Sequence, residues 1–239
     1  MKKILCIGGS ISNLVTAHHL SENNEVHLIE IHAELGMPSS QPGFLLDLDK
    51  LSKYTTEDQI KFLRPYANEH GWGLRSEWLC KHLAMNAAQR GVQIHTRTRI
   101  VSIVQHEGKF LVEYQGGGPS SSDTLLVDHI IDGSTGVPDA PGGRTHEIDG
   151  TLNLARPDFG VTSVWFGGTA LTTDCITLPE QAWGFQRAEG LSEVWFEGTP
   201  SWVPKHGWIE QIQSSLSTTA AQRTIDAQID EGKRLAEAF

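Results

Sequence analysis

A short apolar run near the amino terminus, Lys3 to Gly8, breaks at Gly8-Gly9-Ser10 and gives way to Leu14, Ala17 and Leu20 at helical spacing, ending near Asn23-Asn24. A second apolar run, Val26 to Glu30, follows at once. Glycine at the end of an apolar strand makes a tight reversal without a Cβ penalty, and apolar positions three residues apart mark one face of a helix. Strand, helix and strand within about 30 residues form a βαβ unit, since parallel neighbours need a crossover long enough to carry a helix. The order therefore predicts an α/β fold with a parallel sheet, and any ligand is expected outside the carboxyl ends of its strands.

Downstream, Gly36, Pro38, Ser39, Ser40, Pro42 and Gly43 mark a loop, expected beside the ligand, before Phe44-Leu45-Leu46. Thr56-Glu57-Asp58-Gln59 has capping-box spacing and predicts a helix running to about His70. Ser76 is expected to cap another helix, with Leu79, Leu83 and Ala87 on one face and Gly91 as its stop. Val92 to His95, Ile100 to Val104 and Lys109 to Tyr114 read as strands, the last two joined at His106-Glu107-Gly108. Gly116 to Ser122 reads as the tip of a second hairpin. Leu125 to Val127 and His129 to Asp132 are again strands, the latter ending on Gly133-Ser134-Thr135-Gly136, a second strand-to-glycine turn. After Pro138 the pattern shifts to Trp- and Gly-rich strands, Val161 to Phe166, Ala182 to Arg187 and Glu193 to Glu197, with a helical ending from about Thr219 to Phe239.

The stretch Ile7-Gly8-Gly9-Ser10-Ile11-Ser12-Asn13-Leu14 followed by Glu30, 22 residues beyond Gly8, resembles the phosphate-binding fingerprint of FAD-dependent enzymes, in particular the aromatic-ring hydroxylases. In such a turn Gly8 permits the reversal, a small residue at Ser10 lets backbone approach a diphosphate, and the helix that follows points its free amides at the anion. An acid at the Glu30 position accepts from ribose hydroxyls and repels the extra phosphate of NADP. A second block supports the resemblance: Gly73-Leu74-Arg75-Ser76-Glu77-Trp78-Leu79, the helix to Gly91-Val92, the strand at Ile100, the hairpins and Asp128-His129-Ile130-Ile131-Asp132-Gly133. It implies that Arg75 reaches the FAD phosphates and that the Ile100 backbone frames the adenine.

The resemblance thus implies a Rossmann-like FAD/NAD(P)-binding fold with a β-meander crossover. Residues 1–136 would form the dinucleotide-binding region, completed by 219–239, and 137–218 a reduced β-rich substrate region. Its cofactor would be FAD, contacted by Gly8, Gly9, Ser10, Ile11, Ser12, Asn13, Glu30, Arg75, Ile100 and Gly133. The function implied is a monooxygenase-like oxidoreductase acting on a small organic substrate; the alternatives are a non-redox scaffold or subunit of a complex, and an NAD-binding dehydrogenase. Three departures from the pattern weaken the expected cofactor affinity. Asn13 stands where the family has its third glycine. The family's later Gly-Asp motif has no clear match after residue 136, the nearest stretch being Gly167-Gly168-Thr169-Ala170, without the Asp. The length suggests a reduced substrate domain, or one completed by a protein partner.

Composition narrows the rest. With 29 acidic against 19 basic residues the formal charge is −10, and no Lys/Arg cluster offers the surface that nucleic acid requires. The apolar run after Met1-Lys2-Lys3 is too short for a signal peptide or a membrane span, so a cytoplasmic location is expected. Cys6, Cys80 and Cys175 are widely spaced without metal-ligand partners, and His18-His19 point to different sides of a helix, so no metal site is expected. Ser10 and Ser12 lack the Gly-x-Ser-x-Gly setting of a nucleophile. No catalytic residue is identified. Trp165, Trp183, Trp195, Trp202 and Trp208 read first as packing residues, and Asp132 as structural.

Overall fold

The computed structural model describes residues 1–37, 40–119, 122–134, 148–149 and 151–239. In chain order its elements are β1 (Lys3–Ile7), α1 (Ile11–Leu20), β2 (Glu25–Ile29), β3 (Phe44–Leu45), α2 (Glu57–Leu63), β4 (Tyr66–Asn68), β5 (Gly71–Gly73), α3 (Ser76–Gln89), β6 (Gln93–His95) and β7 (Thr98–His106). Then follow β8 (Lys109–Gly116), β9 (Thr124–Val127), β10 (His129–Asp132), β11 (Thr162–Leu171), β12 (Trp183–Arg187), β13 (Leu191–Glu197), β14 (Glu210–Ser217) and α4 (Ile225–Ala236). Two compact units emerge: residues 1–37, 80–158 and 229–239, and residues 38–79 with 159–228. The second unit thus draws 38–79 from within the stretch 1–136.

The first unit is built on a parallel sheet in the order β10-β1-β2-β6. Its strands pair in the register Ile7↔Ile29 and Ile7↔Asp132, so the ends of β1, β2 and β10 are level. The chain moves from β1 through β2 to β6 on one side and returns to β10 on the other, which makes the carboxyl ends of β1 and β10 the switch point of the sheet. The meander β7-β8-β9 lies between β6 and β10 in sequence. Glu107 and Gly108, both at positive φ (50° and 80°), give β7 and β8 the primed two-residue turn that matches strand twist. Leu5, Ile7 and Ile29 of the parallel sheet share one apolar core with Ile103, Val112, Tyr114 and Val127 of the meander. Gly232 of α4 packs on α1: a Cβ there would lie 2.5 Å from the Ser12 carbonyl oxygen, and that carbonyl and the Gly232 carbonyl both accept from Thr16 Oγ1. The α/β class with parallel sheet and meander is as expected from the sequence.

The second unit holds the antiparallel sheet β12-β13-β11-β14 and the small sheet β3-β5-β4. Trp165, Trp183, Phe185 and Trp195 pack with Phe44, Ile212 and Leu216. A Cβ on Gly167 would sit 2.1 Å from the Trp195 ring, so a glycine is what lets the indole lie flat on β11.

Three expectations are corrected and one is refined. The helix begun by the Thr56–Gln59 capping box stops at Leu63 instead of reaching His70, with Arg64 left-handed (φ 48°) ahead of Pro65. A proline disfavours the α conformation in the residue before it, and the chain beyond forms the hairpin β4-β5. Ser76 is the first helical residue of α3, and its hydroxyl donates to the Gln41 carbonyl. The helical ending expected from about Thr219 is present, as a short 3-10 turn followed by α4. Gly167-Gly168 lies inside β11, paired on both sides, and so does not form the turn that a remnant Gly-Asp motif would need. Pro38, Ser39, Thr135 and Gly136 lie outside the described residues.

Candidate functional site

Every feature of the Gly8 turn follows from what surrounds it. The Gly8 amide donates to the Ile29 carbonyl at 2.8 Å, holding the chain in the sheet, and then φ of +94° turns it away. A Cβ on Gly8 would meet the Gly133 carbonyl oxygen at 3.0 Å; one on Gly9 would meet Leu35 Cδ2 at 2.4 Å and Glu30 Oε2 at 3.0 Å. A side chain at position 9 would have to push aside the end of Leu35 and crowd the Glu30 carboxylate, while the backbone conformation itself calls for glycine at position 8. Ser10 caps α1, its Oγ accepting from the Asn13 amide at 3.3 Å and lying 3.1 Å from Ser12 Oγ. Ile11 and Ser12 are both buried, and their amides have no acceptor among the described residues. Two free donors at the positive end of a helix form an anion-binding arrangement.

Glu30, only 7% exposed, stands over the same turn. Its Oε2 accepts from the Gly9 amide at 2.6 Å and its Oε1 from the His32 amide at 2.8 Å. Its backbone is fixed as well, donating to the His95 carbonyl and accepting from the Thr98 amide. Burial pushes the carboxyl above the usual range, and the His32 and Gly9 amides pull it part of the way back. Each carboxylate oxygen keeps lone-pair capacity beyond its one amide, enough to accept from a hydroxyl.

Asn13 is fully buried, and its Nδ2 donates to the carbonyls of Ile7 (2.6 Å) and Gly8 (3.0 Å). Its side chain occupies the space over Gly133: a Cβ on Gly133 would lie 2.3 Å from Asn13 Nδ2. The close approach that a third glycine would allow is met instead by the missing Cβ of Gly133. Gly133 in turn donates to the Ile7 carbonyl at 2.9 Å, tying the two strand ends together. Asn13 Oδ1 is buried without a partner among the described residues.

Gly8, Gly9, Ser10, Ile11, Ser12, Asn13, Glu30 and Gly133 thus converge on one turn at the switch point. Ile100 lies in the same unit, with its side chain in the apolar core and its backbone paired to Tyr114. Arg75 belongs to the second unit, where its guanidinium lies 4.0 Å from the Trp78 ring centroid and its Nε donates to buried Glu77. The structure adds Asp132: its Oδ1 accepts from the Ser134 amide and hydroxyl, and its Oδ2 from Arg156 Nε. Nothing in the local sequence marks Arg156, because its partner lies 24 residues earlier. Among the described residues no cluster of His, Cys, Asp and Glu has the makings of a metal site, and no helix is long and apolar enough to cross a membrane.

No protein-family model matches the sequence, and no curated protein does. Solved structures do share its fold. One is p-nitrophenol 4-monooxygenase PnpA from Pseudomonas putida (TM-score 0.64, 12% identity, covering 100% of this chain and 80% of that one). Another is a mutant of the halogenase PltM in complex with FAD (TM-score 0.59, 11% identity, 99% and 70% covered). A third is the Diels-Alderase PyrE3 (TM-score 0.54, 13% identity), where 84% of this chain spans only 48% of the other. At these identities the likeness is one of fold: a mixed α/β chain with a parallel sheet and antiparallel sheets.

Proposed function

We propose that the chain binds FAD at the Gly8 turn and acts as a flavin-dependent oxidoreductase of the monooxygenase type on a small organic substrate. The observation that carries this reading is the turn itself: free amides of Ile11 and Ser12 beside the Glu30 carboxylate at the switch point of a parallel sheet. A diphosphate suits the amides, and a ribose hydroxyl suits Glu30. The fold shared with PltM, whose mutant is seen in complex with FAD, supports the choice of dinucleotide. When bound, FAD supplies the redox chemistry, passing electrons to oxygen or substrate. The residues of the chain hold and orient it: Gly8 and Gly9 admit the backbone to the diphosphate, Ser10 and Ser12 offer hydroxyls, and Glu30 fixes the ribose. By the family resemblance, Arg75 is assigned to the phosphates and the Ile100 backbone to the adenine.

A second reading, a flavoprotein-like scaffold without redox activity, is favoured by one observation: Gly167-Gly168 is strand, so the family's later Gly-Asp contact has no counterpart there. FAD titration by fluorescence separates the two. Glu30→Ala removes a charge-assisted hydrogen bond of about 1.5–3 kcal/mol and weakens binding by roughly one to two decades. Gly8→Val, placing a β-branched side chain at φ +94°, abolishes it. Binding by the wild type that neither substitution alters removes FAD from this turn, and a wild type that fails to bind FAD at high micromolar concentration leaves the scaffold reading.

A further inference from the structure

Ala155 forms a parallel bridge with Ile131, and the Asp132 amide donates to the Ala155 carbonyl at 2.8 Å, so the chain around Ala155 runs beside β10 as an outer neighbour. Arg156 then falls level with Asp132, which is itself in register with Ile7, the last residue of β1. The same edge of the sheet carries the Gly8 turn and the amino terminus of α1. Asp132 is 6% exposed and Arg156 44%; the only bond Arg156 makes among the described residues is from Nε to Asp132 Oδ2, at 2.9 Å. A guanidinium has five N–H donors, so a tether through Nε fixes its plane and leaves the terminal fork unspent.

The charges on this edge require such an arm. Two carboxylates, Glu30 and Asp132, lie buried beside the switch point, in a chain whose formal charge is −10. A dianionic diphosphate approaching that edge is repelled unless a cation stands close by. Glu30 is held by two backbone amides and Asp132 by Ser134 and Arg156. We infer that Arg156 is the cationic arm of the anion subsite and receives a phosphate of the dinucleotide while neutralising Asp132. This rests on the reading that a dinucleotide occupies the Gly8 turn.

The experiment titrates the full chain with FAD, by fluorescence, and with inorganic pyrophosphate, by calorimetry, using wild type, R156M, R156K and the double variant D132N/R156M. Loss of a charge-assisted phosphate contact in R156M weakens both ligands roughly 10- to 100-fold. It also flattens the dependence of affinity on salt. R156K, which keeps the charge but loses the fork, falls in between, and circular dichroism verifies that each variant is folded. The double variant regains only the part of the loss owed to repulsion by Asp132 and stays clearly weaker than wild type, because removing the Asp132 charge does not replace the lost donor. Full recovery in the double variant would show that Arg156 merely offsets Asp132, and unchanged FAD binding by R156M would likewise overturn the inference while leaving the nucleotide reading intact. If wild type takes pyrophosphate in an Arg156-dependent way but not FAD, the subsite stands and the flavin reading falls. If it takes neither, both fall.

Discussion

Gly133→Ala tests the interlock beneath the turn. The added methyl carbon would lie 2.3 Å from Asn13 Nδ2 and 2.6 Å from its Cγ, against about 3.5–4.0 Å for an ordinary carbon contact. More than an ångström must be found against the fully buried Asn13 side chain. Overpacking of this kind costs about 1–3 kcal/mol, and displacing the amide from the Ile7 and Gly8 carbonyls costs about 1 kcal/mol for each of the two bonds, so the expected loss is about 3–5 kcal/mol. Asn13→Gly removes the same two bonds and costs about 2 kcal/mol by itself. The double substitution has room for the methyl group and should be no less stable than Asn13→Gly alone, giving a coupling of about 3 kcal/mol or more. Urea denaturation midpoints, followed by circular dichroism and compared at a shared slope, measure the cycle. Strictly additive losses would refute the idea that Gly133 stands in for the missing third glycine.

Other outcomes follow from the packing and charges described. Gly167→Ala pushes a methyl group into the Trp195 ring, which it would meet at 2.1 Å, and should destabilise the second unit by about 1–3 kcal/mol, read as an earlier change in tryptophan emission during denaturation. Thr56→Ala removes the capping box of α2 and should cost about 1 kcal/mol, seen as faster amide exchange at Glu57–Gln59. Burial, followed by the positive charge of Arg90, lowers the His18 pKa from 6.5 to about 4. The unfolded chain therefore takes up this proton first as pH falls, and stability contributed by neutral His18 is lost between pH 6.5 and about 4. In His18→Gln that part of the acid sensitivity should be missing from melting temperatures recorded across this window.

The elements that could be read from the sequence are those whose signals are local. Lys3 to Glu30 carries its strand, turn and helix periods within one stretch, and the Gly91 and Glu107-Gly108 turns are dictated by positive φ. β14 carries no local signal, because Glu-Gln-Ile-Gln-Ser-Ser-Leu-Ser is mostly polar and is held by β11 from 40 or more residues away. β4 was hidden behind a helical expectation that Pro65 ends. At the site, the turn and its acid were legible as a pattern. The reason Asn13 is tolerated was not, since it depends on Gly133, far along the chain, and the Asp132–Arg156 pair depends on a parallel bridge that no local period announces.

The most direct test of the central claim is the amide spectrum of isotopically labelled protein with and without FAD. If the dinucleotide sits at the Gly8 turn, the amides of Ile11 and Ser12, which have no acceptor within the described chain, should shift most and become protected from exchange. The Gly9 amide, already bound to Glu30, should move with them. Saturable FAD binding that leaves these three amides unshifted would contradict the account.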